Sequence, residues 1–466
     1  STISNGIYIE GIDVSGMTLK EAAKAVQAKV EEMGEATVTL MMGEEPIVTT
    51  LNSLGLKWGN REILDEVMKL GATGNIIQRY KDQKDLEHQN KEYGITFTVD
   101  TNKARAFIDG CSIYNSEPVN GSMYTQDDGT PGVSGGTDGI TLLVDESVST
   151  LQTRFEEWHG GDMTVDLDIE RVQPDITAEE LSLVCDVLGT ATTDYSSSSW
   201  ARACNVENGC SKISGTLLFP GESFSVTSAV TPFSAENGYE PAPSYEENRV
   251  VDSYGGGICQ VSTTLYNAVL KSELEIISRS NHTMIVTYVD PSKDAAIAEG
   301  IMDLEFYNNL DYPVYIVGSA YYGTLNFTVY GHETRPANRR ISFESVVTST
   351  VEPTGVKLYP NPNQSVGYLS QVQSPHTGYT AELWKHIYID EELVDSVQVN
   401  SSTYDAVGTA YDVGVATSNS ALSQQIYQAV YSGSLSQVQA VINSMNAYLQ
   451  QQQLLRQQQQ QLQQQQ

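Results

Sequence analysis

The sequence predicts a multidomain α+β protein, and three observations support this fold class. Strand-to-helix transitions recur through the first 175 residues, a glycine-rich turn opens an amphipathic helix near residue 258, and residues 320–405 alternate through runs rich in tyrosine, threonine and valine. At 466 residues the chain is too long for one hydrophobic core. We therefore expect two small βα-rich N-terminal modules, a mixed α+β central domain and a β-rich C-terminal extension.

The N-terminal region reads as two similar modules, residues 1–90 and 91–175. Residues 7–14 alternate and lead into a helix that opens with the capping box Thr18 to Glu21. Two further strands end in Asp100 and Asp145, each expected to cap the helix that follows. Because the same pattern recurs, it indicates repeated units. The charged segment 80–93 between them predicts a solvated connector or an exposed helix.

A cysteine placed where glycines give way to a helix is the most informative feature of the chain. Gly255–Gly257 precede Cys259, and Val261, Leu265 and Val269 then recur every four residues, which predicts one buried helix face. Three glycines are typical of a tight turn with positive φ and of close approach between backbone and ligand. The N-terminal end of a helix stabilises a thiolate over a thiol. Cys259 is therefore the candidate nucleophile.

A cysteine nucleophile needs a base, an orienting group and donors for a developing oxyanion. His282, between two predicted strands at 276–277 and 285–289, is the candidate base. The group that orients its imidazole is Asp294, Asn281 or Asp303; Asp294 is preferred because Asp303 lies in an ordinary alternating strand pattern.

Further residues near the turn are candidates for oxyanion stabilisation or substrate binding. Arg279 either pairs with a substrate carboxylate or is a solvated surface arginine. The other candidates are Tyr254, Gly256, Gly257, Ile258, Gln260, Ser262, Thr263 and Asn281. The competing interpretation is that Cys259 is a small buried apolar residue without reactivity.

Composition limits the classes of function. The chain carries 26 basic and 59 acidic residues, a formal net charge of −33, and this argues against nucleic-acid binding because phosphate neutralisation needs basic patches. No run of about 18 apolar residues is present. The five cysteines have no metal-binding spacing, so we predict neither a zinc site nor a cofactor. Cys204 and Cys210 are able to pair only if the segment between them is not helical.

Between about Thr193 and Val317 a series of short motifs follow one another: 220–225 (PGESFS), 235–239 (AENGY), 255–267 (GGGICQVSTTLYN), Asn281-His282, Asp294-Ala295 and 303–309 (DLEFYNN). In this order they resemble the VanW domain family. The resemblance implies an extracytoplasmic bacterial protein, facing the cell wall, whose membrane anchor has been removed from this chain. The segments before residue 175 resemble the peptidoglycan-binding modules that precede VanW domains, or serve as spacers.

Some members of this family resemble peptidoglycan L,D-transpeptidases, so the resemblance implies cysteine-dependent acyl transfer between stem peptides, with residues 176–320 as the catalytic domain. Cys259 would be the nucleophile, His282 would carry the proton and Asp294 would orient the imidazole. Two alternatives remain open: a cysteine peptidase or carboxypeptidase that hydrolyses the stem peptides, and a non-catalytic protein that binds the cell wall.

The C-terminal region is predicted to be β-rich over residues 321–405, completing or flanking the catalytic domain. Residues 406–466 are predicted to form a helical to disordered tail. A helix is expected from Ala421 to Leu449, and the glutamine-rich tract 450–466 lacks the apolar surface to fold alone, so we expect disorder or a frayed helix.

Overall fold

The computed structural model describes residues 1–246 and 249–465, with both helices and strands in quantity, as the α+β class requires. The chain forms two compact units. The first comprises Ser1–Ser122 and Gly135–Ala178, and the second comprises Met123–Ser134 and the residues from Glu179 onward.

The strands in chain order are β1 (Ile7–Ile9), β2 (Ile12–Asp13), β3 (Thr37–Met42), β4 (Glu45–Thr50), β5 (Leu56–Trp58), β6 (Lys91–Tyr93), β7 (Phe97–Val99), β8 (Ser122–Thr125), β9 (Pro131–Ser134), β10 (Gly139–Leu142), β11 (Met163–Asp166), β12 (Ile169–Val172), β13 (Asp186–Asp194), β14 (Thr216–Leu218), β15 (Ser223–Ser225), β16 (Ala242–Glu246), β17 (Arg249–Ser253), β18 (Glu275–Ser278), β19 (Glu305–Tyr307), β20 (Val314–Tyr321), β21 (Thr324–Gly331), β22 (Arg339–Val351), β23 (Val356–Ser365), β24 (Leu369–Gln373), β25 (Gly378–Ile389), β26 (Glu392–Tyr404) and β27 (Thr409–Ala416).

The α-helices are α1 (Leu19–Met33), α2 (Ile63–Lys69), α3 (Ile76–His88), α4 (Thr101–Gly110), α5 (Val144–Glu156), α6 (Ala178–Ser182), α7 (Trp200–Ile213), α8 (Val226–Val230), α9 (Ile258–Lys271), α10 (Ser420–Ser432) and α11 (Leu435–Gln464). Over the residues that the structure describes, no helix is both long enough and apolar enough to cross a membrane.

The N-terminal unit has one hydrophobic core, which draws buried residues from Ile3 through Leu167. Its sheets have the strand orders β2-β1-β6, β11-β3-β4, β5-β7 and β10-β12. Strands on both sides of residue 90 therefore share sheets, since β1 pairs in parallel with β6 and β3 in parallel with β11. This corrects the predicted division into modules 1–90 and 91–175. Repeated strand-to-helix patterns do not indicate which distant strands pair.

Helix capping in this unit follows the sequence closely. The Thr18 capping box opens α1, and Asp100 caps α4 by accepting hydrogen bonds from the amides of Asn102 and Lys103. Asp145 does not cap α5: it lies in the first turn, and Leu143 occupies the N-cap position. The charged segment forms the exposed part of α3 and then β6, so the predicted exposed helix is confirmed.

The central part of the second unit is a four-stranded sheet of order β13-β21-β20-β14, against which α9 packs. Val261, Leu265 and Val269 are fully buried, so the predicted helix face is confirmed. Because β21 pairs with β13 along its whole length, the sheet extends to Gly331, beyond the predicted boundary at residue 320. Cys204 and Cys210 both lie in α7 and are free thiols.

The C-terminal strands form two further sheets, β22-β25-β26 and β23-β27-β24. The first sheet packs on the central core, where Leu383 is buried in the same cluster as the residues of α9. The second packs on α10 and α11.

The structure corrects the predicted tail at two points, strand β27 and the break at Gly433, and it gives the glutamine-rich tract as helix. Residues 409–416 are strand β27, and the glutamine-rich tract continues α11 to Gln464. Glutamine has good helix propensity, and no proline or glycine interrupts the tract. The helix predicted from Ala421 to Leu449 is instead two helices, because Gly433 in the left-handed region ends α10.

Candidate active site

Cys259 is the second residue of α9, directly after the glycine turn. Gly257 is the N-cap, with φ +99°, as the glycine run predicts. Gly256 has a different role from the predicted ligand contact: a Cβ there would lie 2.5 Å from the Ala242 carbonyl oxygen, so its backbone packs against another backbone. The turn thus holds Cys259 at the positive end of a helix.

The segment after β18 returns to Cys259 as a loop. The predicted strand 285–289 is not formed. Instead, the Ala296 amide donates to the Ser280 carbonyl oxygen at 2.8 Å, closing the loop. The amide of the next residue, Ile297, donates to Cys259 Sγ at 3.4 Å. These backbone amides thus bind the loop and the thiol, and not a neighbouring strand.

Asp294 holds the imidazole of His282. Its Oδ2 lies 2.6 Å from His282 Nδ1 and accepts from the His282 amide at 2.8 Å. With Nδ1 bound to the carboxylate, Nε2 is the nitrogen available to the sulfur of Cys259. The structure therefore brings Cys259, His282 and Asp294 together in the predicted order.

Electrostatics favour a charged thiolate and imidazolium. Burial by itself raises the pKa of the Cys259 thiol, but the hydrogen bond and charge of His282 outweigh burial and hold that pKa below its usual value. Burial alone would lower the pKa of His282, yet hydrogen bonds to Asp294 and Cys259 raise it to about 9. Burial likewise works against the Asp294 carboxylate, but His282 keeps its pKa below the ordinary value. The pair is poised as nucleophile and acid.

The second oxygen of Asp294 is held by residues distant in sequence. Arg279 Nη2 donates to Asp294 Oδ1 at 3.1 Å and Arg279 Nε to the Asp294 carbonyl oxygen at 2.7 Å. The Tyr404 hydroxyl, at the end of β26, also donates to Oδ1. Arg279 Nη1 donates to Ser402 Oγ at 2.9 Å, on the same strand. The C-terminal sheet therefore completes the environment of the carboxylate.

Arg279 has neither of the two roles that the sequence suggested. Its side chain is 6% exposed and its guanidinium is used by Asp294 and Ser402, so it neither lies on the solvated surface nor is free to bind a substrate carboxylate. Asn281 is also used internally, since its amide donates to the carbonyl oxygens of His282 and Thr403 at 2.8 Å each. Both residues support the loop that carries His282.

Several candidates from the cysteine helix are structural. The Gln260 side chain is buried and donates to Thr193 Oγ1 and the Asp194 carbonyl oxygen. Ser262 and Thr263 are buried and donate to the Ala295 carbonyl oxygen. Ser262 and Thr263 fix the 294–297 loop against α9, and Gln260 joins α9 to the end of β13.

Backbone amides at the turn divide into used and free donors. The amides of Gly256, Ile258 and Gln260 each donate to a turn carbonyl at 3.2 Å, which removes them as oxyanion donors in this conformation. Within the described part of the chain, the amides of Gly257 and Cys259 have no hydrogen-bond acceptor. These two are the remaining oxyanion candidates at the helix N-terminus.

Asp303 has the ordinary structural role that its sequence pattern favours. Its carboxylate accepts from the Thr227 amide at 2.9 Å and from the hydroxyls of Ser225 and Thr227, which holds the start of α8. In the described part of the chain, His282 is hydrogen-bonded to Asp294 and not to Asp303.

Cys259 and His282 line a cleft of about 590 Å³. Tyr254, 39% exposed, contributes to its wall as a predicted binding residue. The lining residues that were not anticipated from the sequence include Arg202 from α7, Tyr288 from the loop, and Glu299 beyond it. Tyr404 was also missed. Arg202 and Tyr404 lie far from the cysteine motif in the chain, and no spacing signal connects them to it.

Comparisons with known proteins agree with the motif analysis. Residues 201–330 match the family model VanW, described as "VanW like protein", and residues 47–161 match one described as "Putative peptidoglycan binding domain". The second match crosses residue 90, consistent with a single N-terminal unit. The predicted resemblance to the VanW family with an N-terminal peptidoglycan-binding region is confirmed.

Among curated relatives, "Uncharacterized protein YoaR" of Bacillus subtilis is 32% identical over 174 residues, which cover 37% of this chain and 57% of that protein. "Vancomycin B-type resistance protein VanW" of Enterococcus faecalis is 29% identical over 116 residues, covering 24% and 42%. The chain thus spans about half the length of these relatives. An L,D-transpeptidase of Enterococcus faecium is similar at 12% identity over 35% of this chain and 50% of that one, with a TM-score of 0.17, too low to establish a shared fold.

Proposed function

We propose that the VanW-like domain of this chain is a cysteine-dependent peptidoglycan L,D-transpeptidase that acts outside the cytoplasm. The observation that carries this proposal is the Cys259, His282 and Asp294 relay, with its depressed thiol pKa, at the wall of a cleft large enough for a peptide. The match of residues 47–161 to a peptidoglycan-binding family supports the choice of substrate.

In the acylation step, Cys259 Sγ attacks the carbonyl carbon of the third residue of a donor tetrapeptide, forming a C–S bond. The carbonyl oxygen becomes an oxyanion near the Gly257 and Cys259 amides. The C–N bond to the terminal D-alanine then breaks, and His282 Nε2 gives its proton to the departing amine. The product is a thioester and a neutral imidazole.

In the second step, the side-chain amine of a neighbouring stem peptide attacks the thioester. His282 takes a proton from the attacking nitrogen, the new C–N bond forms, the C–S bond breaks, and Cys259 leaves as thiolate. Asp294 stays ionised throughout, because it orients and stabilises the imidazolium. Attack by water in place of the amine would give hydrolysis by the same acyl-enzyme.

Incubation of the purified chain with disaccharide-tetrapeptide, followed by mass analysis of protein and muropeptides, tests the proposal. We expect a cross-linked dimer lighter than two monomers by one D-alanine, and its loss in Cys259→Ala. Asp303→Asn is the matched control, since Asp303 caps α8 outside the relay. A shortened monomer without dimer would indicate a hydrolase. No Cys259-dependent change with any acceptor would overturn the enzyme assignment in favour of wall binding.

A further inference from the structure

Arg202 is placed over the turn that carries Cys259. It lies in the first turn of α7, where Ser199 caps the helix by accepting from the Arg202 amide. A Cβ at Gly257 would lie only 2.9 Å from Arg202 Cγ, so the missing side chain of Gly257 makes room for the arginine stem. Arg202 and Cys259 line the same cleft.

The charge of Arg202 is not matched by a carboxylate. Its guanidinium donates to Ser198 Oγ at 2.7 Å, and among the residues that the structure describes no aspartate or glutamate pairs with it. Arg279, in contrast, is paired with the Asp294 carboxylate, and its other donors bind the Asp294 carbonyl oxygen and Ser402. Half-buried in the cleft wall, Arg202 keeps its charge, because guanidinium is not deprotonated in proteins.

An unmatched arginine beside the nucleophile favours an anionic group on the substrate. An acceptor amine that arrives protonated brings positive charge, which Arg202 repels. A carboxylate matches the planar guanidinium fork. In a donor tetrapeptide the terminal carboxylate follows the attacked carbonyl by one residue, which spans about 3.3–3.6 Å, within reach of an arginine whose stem crosses Gly257.

Resting on the proposed function, we propose that Arg202 binds the terminal carboxylate of the donor peptide, and that the cleft therefore selects donors ending one residue after the scissile bond. Longer donors place the carboxylate beyond this contact, and acceptors are not selected by it. Carboxylates elsewhere in the stem have the same chemistry, so the test must separate the two sources.

The experiment compares three donors: the tetrapeptide, its C-terminal carboxamide, and a tetrapeptide with its terminal carboxylate intact but its other carboxyl groups amidated. Acylation rates are measured by intact mass for the native chain, Arg202→Gln, Arg202→Lys and the control Arg340→Gln, whose partner is the exposed Glu391. We expect the native protein to prefer the free acid over the carboxamide by on the order of 10- to 100-fold. Arg202→Gln should abolish that preference, and Arg202→Lys should restore part of it.

The ratio of the two donors is the informative quantity, because both meet the same thiolate in each variant. An effect of Arg202 on Cys259 reactivity alone would slow both donors equally and would overturn the proposal. The native protein could instead prefer the tetrapeptide over the donor that is amidated elsewhere, with this preference lost in Arg202→Gln. That result would assign Arg202 to a different carboxylate and would also overturn the proposal.

Binding separates this proposal from the proposed function. In Cys259→Ala, calorimetric titration with the acid and the carboxamide should show a similar preference, which disappears in the double variant with Arg202→Gln. Equal affinity for both peptides would refute the role of Arg202 even if cross-linking occurs. A preserved preference without any cross-linking would refute only the transpeptidase.

Discussion

Replacing Asp294 with asparagine is expected to uncouple His282 from Cys259. Asp294 Oδ2 holds the ring nitrogen and the amide of His282. Asparagine keeps the volume and one acceptor oxygen but removes the negative charge. Burial lowers the pKa of His282, and without the carboxylate only the hydrogen bond and charge of Cys259 oppose this effect. We expect a neutral imidazole beside a neutral thiol in the resting variant.

The size of the effect follows from the raised pKa of His282, about 9 against an ordinary 6.5. A difference of about 2.5 pH units corresponds to roughly 3 kcal/mol in favour of imidazolium, shared between Asp294 and Cys259. A thiol with the ordinary pKa of 9.0 is roughly 1% ionised at pH 7, a loss of up to about 100-fold in thiolate. The more basic thiolate is about tenfold more nucleophilic, so a net loss of about tenfold remains.

Alkylation of Cys259 by iodoacetamide, followed by intact mass from about pH 5 to about pH 9, measures this loss. The native thiolate should persist at pH values below the ordinary thiol pKa. As the pH is lowered, Asp294→Asn should lose its reactivity at a higher pH than the native protein does. Asp303→Asn is the matched control, and thermal unfolding monitors the fold of both variants. A native-like rate and pH profile in Asp294→Asn, or an equal loss in Asp303→Asn, would refute the reasoning.

Three further outcomes are expected. Arg279→Met leaves the Asp294 carboxylate buried without the guanidinium and should lower the free energy of unfolding by about 3–5 kcal/mol in a denaturant titration. Tyr404→Phe removes one hydrogen bond to a charged group and should lower it by about 1.5–3 kcal/mol. Equal losses would contradict the assigned roles. Gly257→Ala should be destabilised by about 1–3 kcal/mol through its positive φ, measured the same way, and a native-like value would show that the turn tolerates a side chain. The pKa of Glu273 is about 2 because three cations outweigh its burial. Its contribution to the free energy of unfolding, up to about 3 kcal/mol, is therefore present above the ordinary pKa of 4.5 and is lost as the pH falls from 4.5 towards 2. Glu273→Gln should flatten this part of the profile of stability against pH.

The sequence predicted those site residues that belong to a contiguous motif. Cys259 follows a glycine turn at a helix N-terminus, and that local pattern indicates both its conformation and its chemistry. The roles of Arg279 and Arg202 could not be separated in the same way, because they depend on which arginine is paired in the folded state. Burial and pairing arise from contacts between distant segments, and residue type alone does not determine them.

The same reason explains the errors in the fold. The α9 face has a clear helical period, and the structure buries it as predicted. The pairing of β1 with β6 joins residues on both sides of the predicted module boundary, and no local pattern encodes that register. The loop 285–289 has β-branched residues typical of a strand, but the bonds that close the loop around Cys259 replace a sheet ladder.

The candidate active site extends beyond residues 201–330. Asp294 holds His282 as a carboxylate, but it is fully buried, and burial opposes its ionisation. His282 and Arg279 supply the balancing positive charge. Arg279 is itself positioned by Ser402, and Tyr404 supplies a further hydrogen bond to the carboxylate. Burial raises the pKa of Tyr404 to about 12, so this hydroxyl remains a donor through the physiological range. The orientation of the imidazole therefore depends on the last residues of β26, and the C-terminal sheet is part of the site and not an appendage to it.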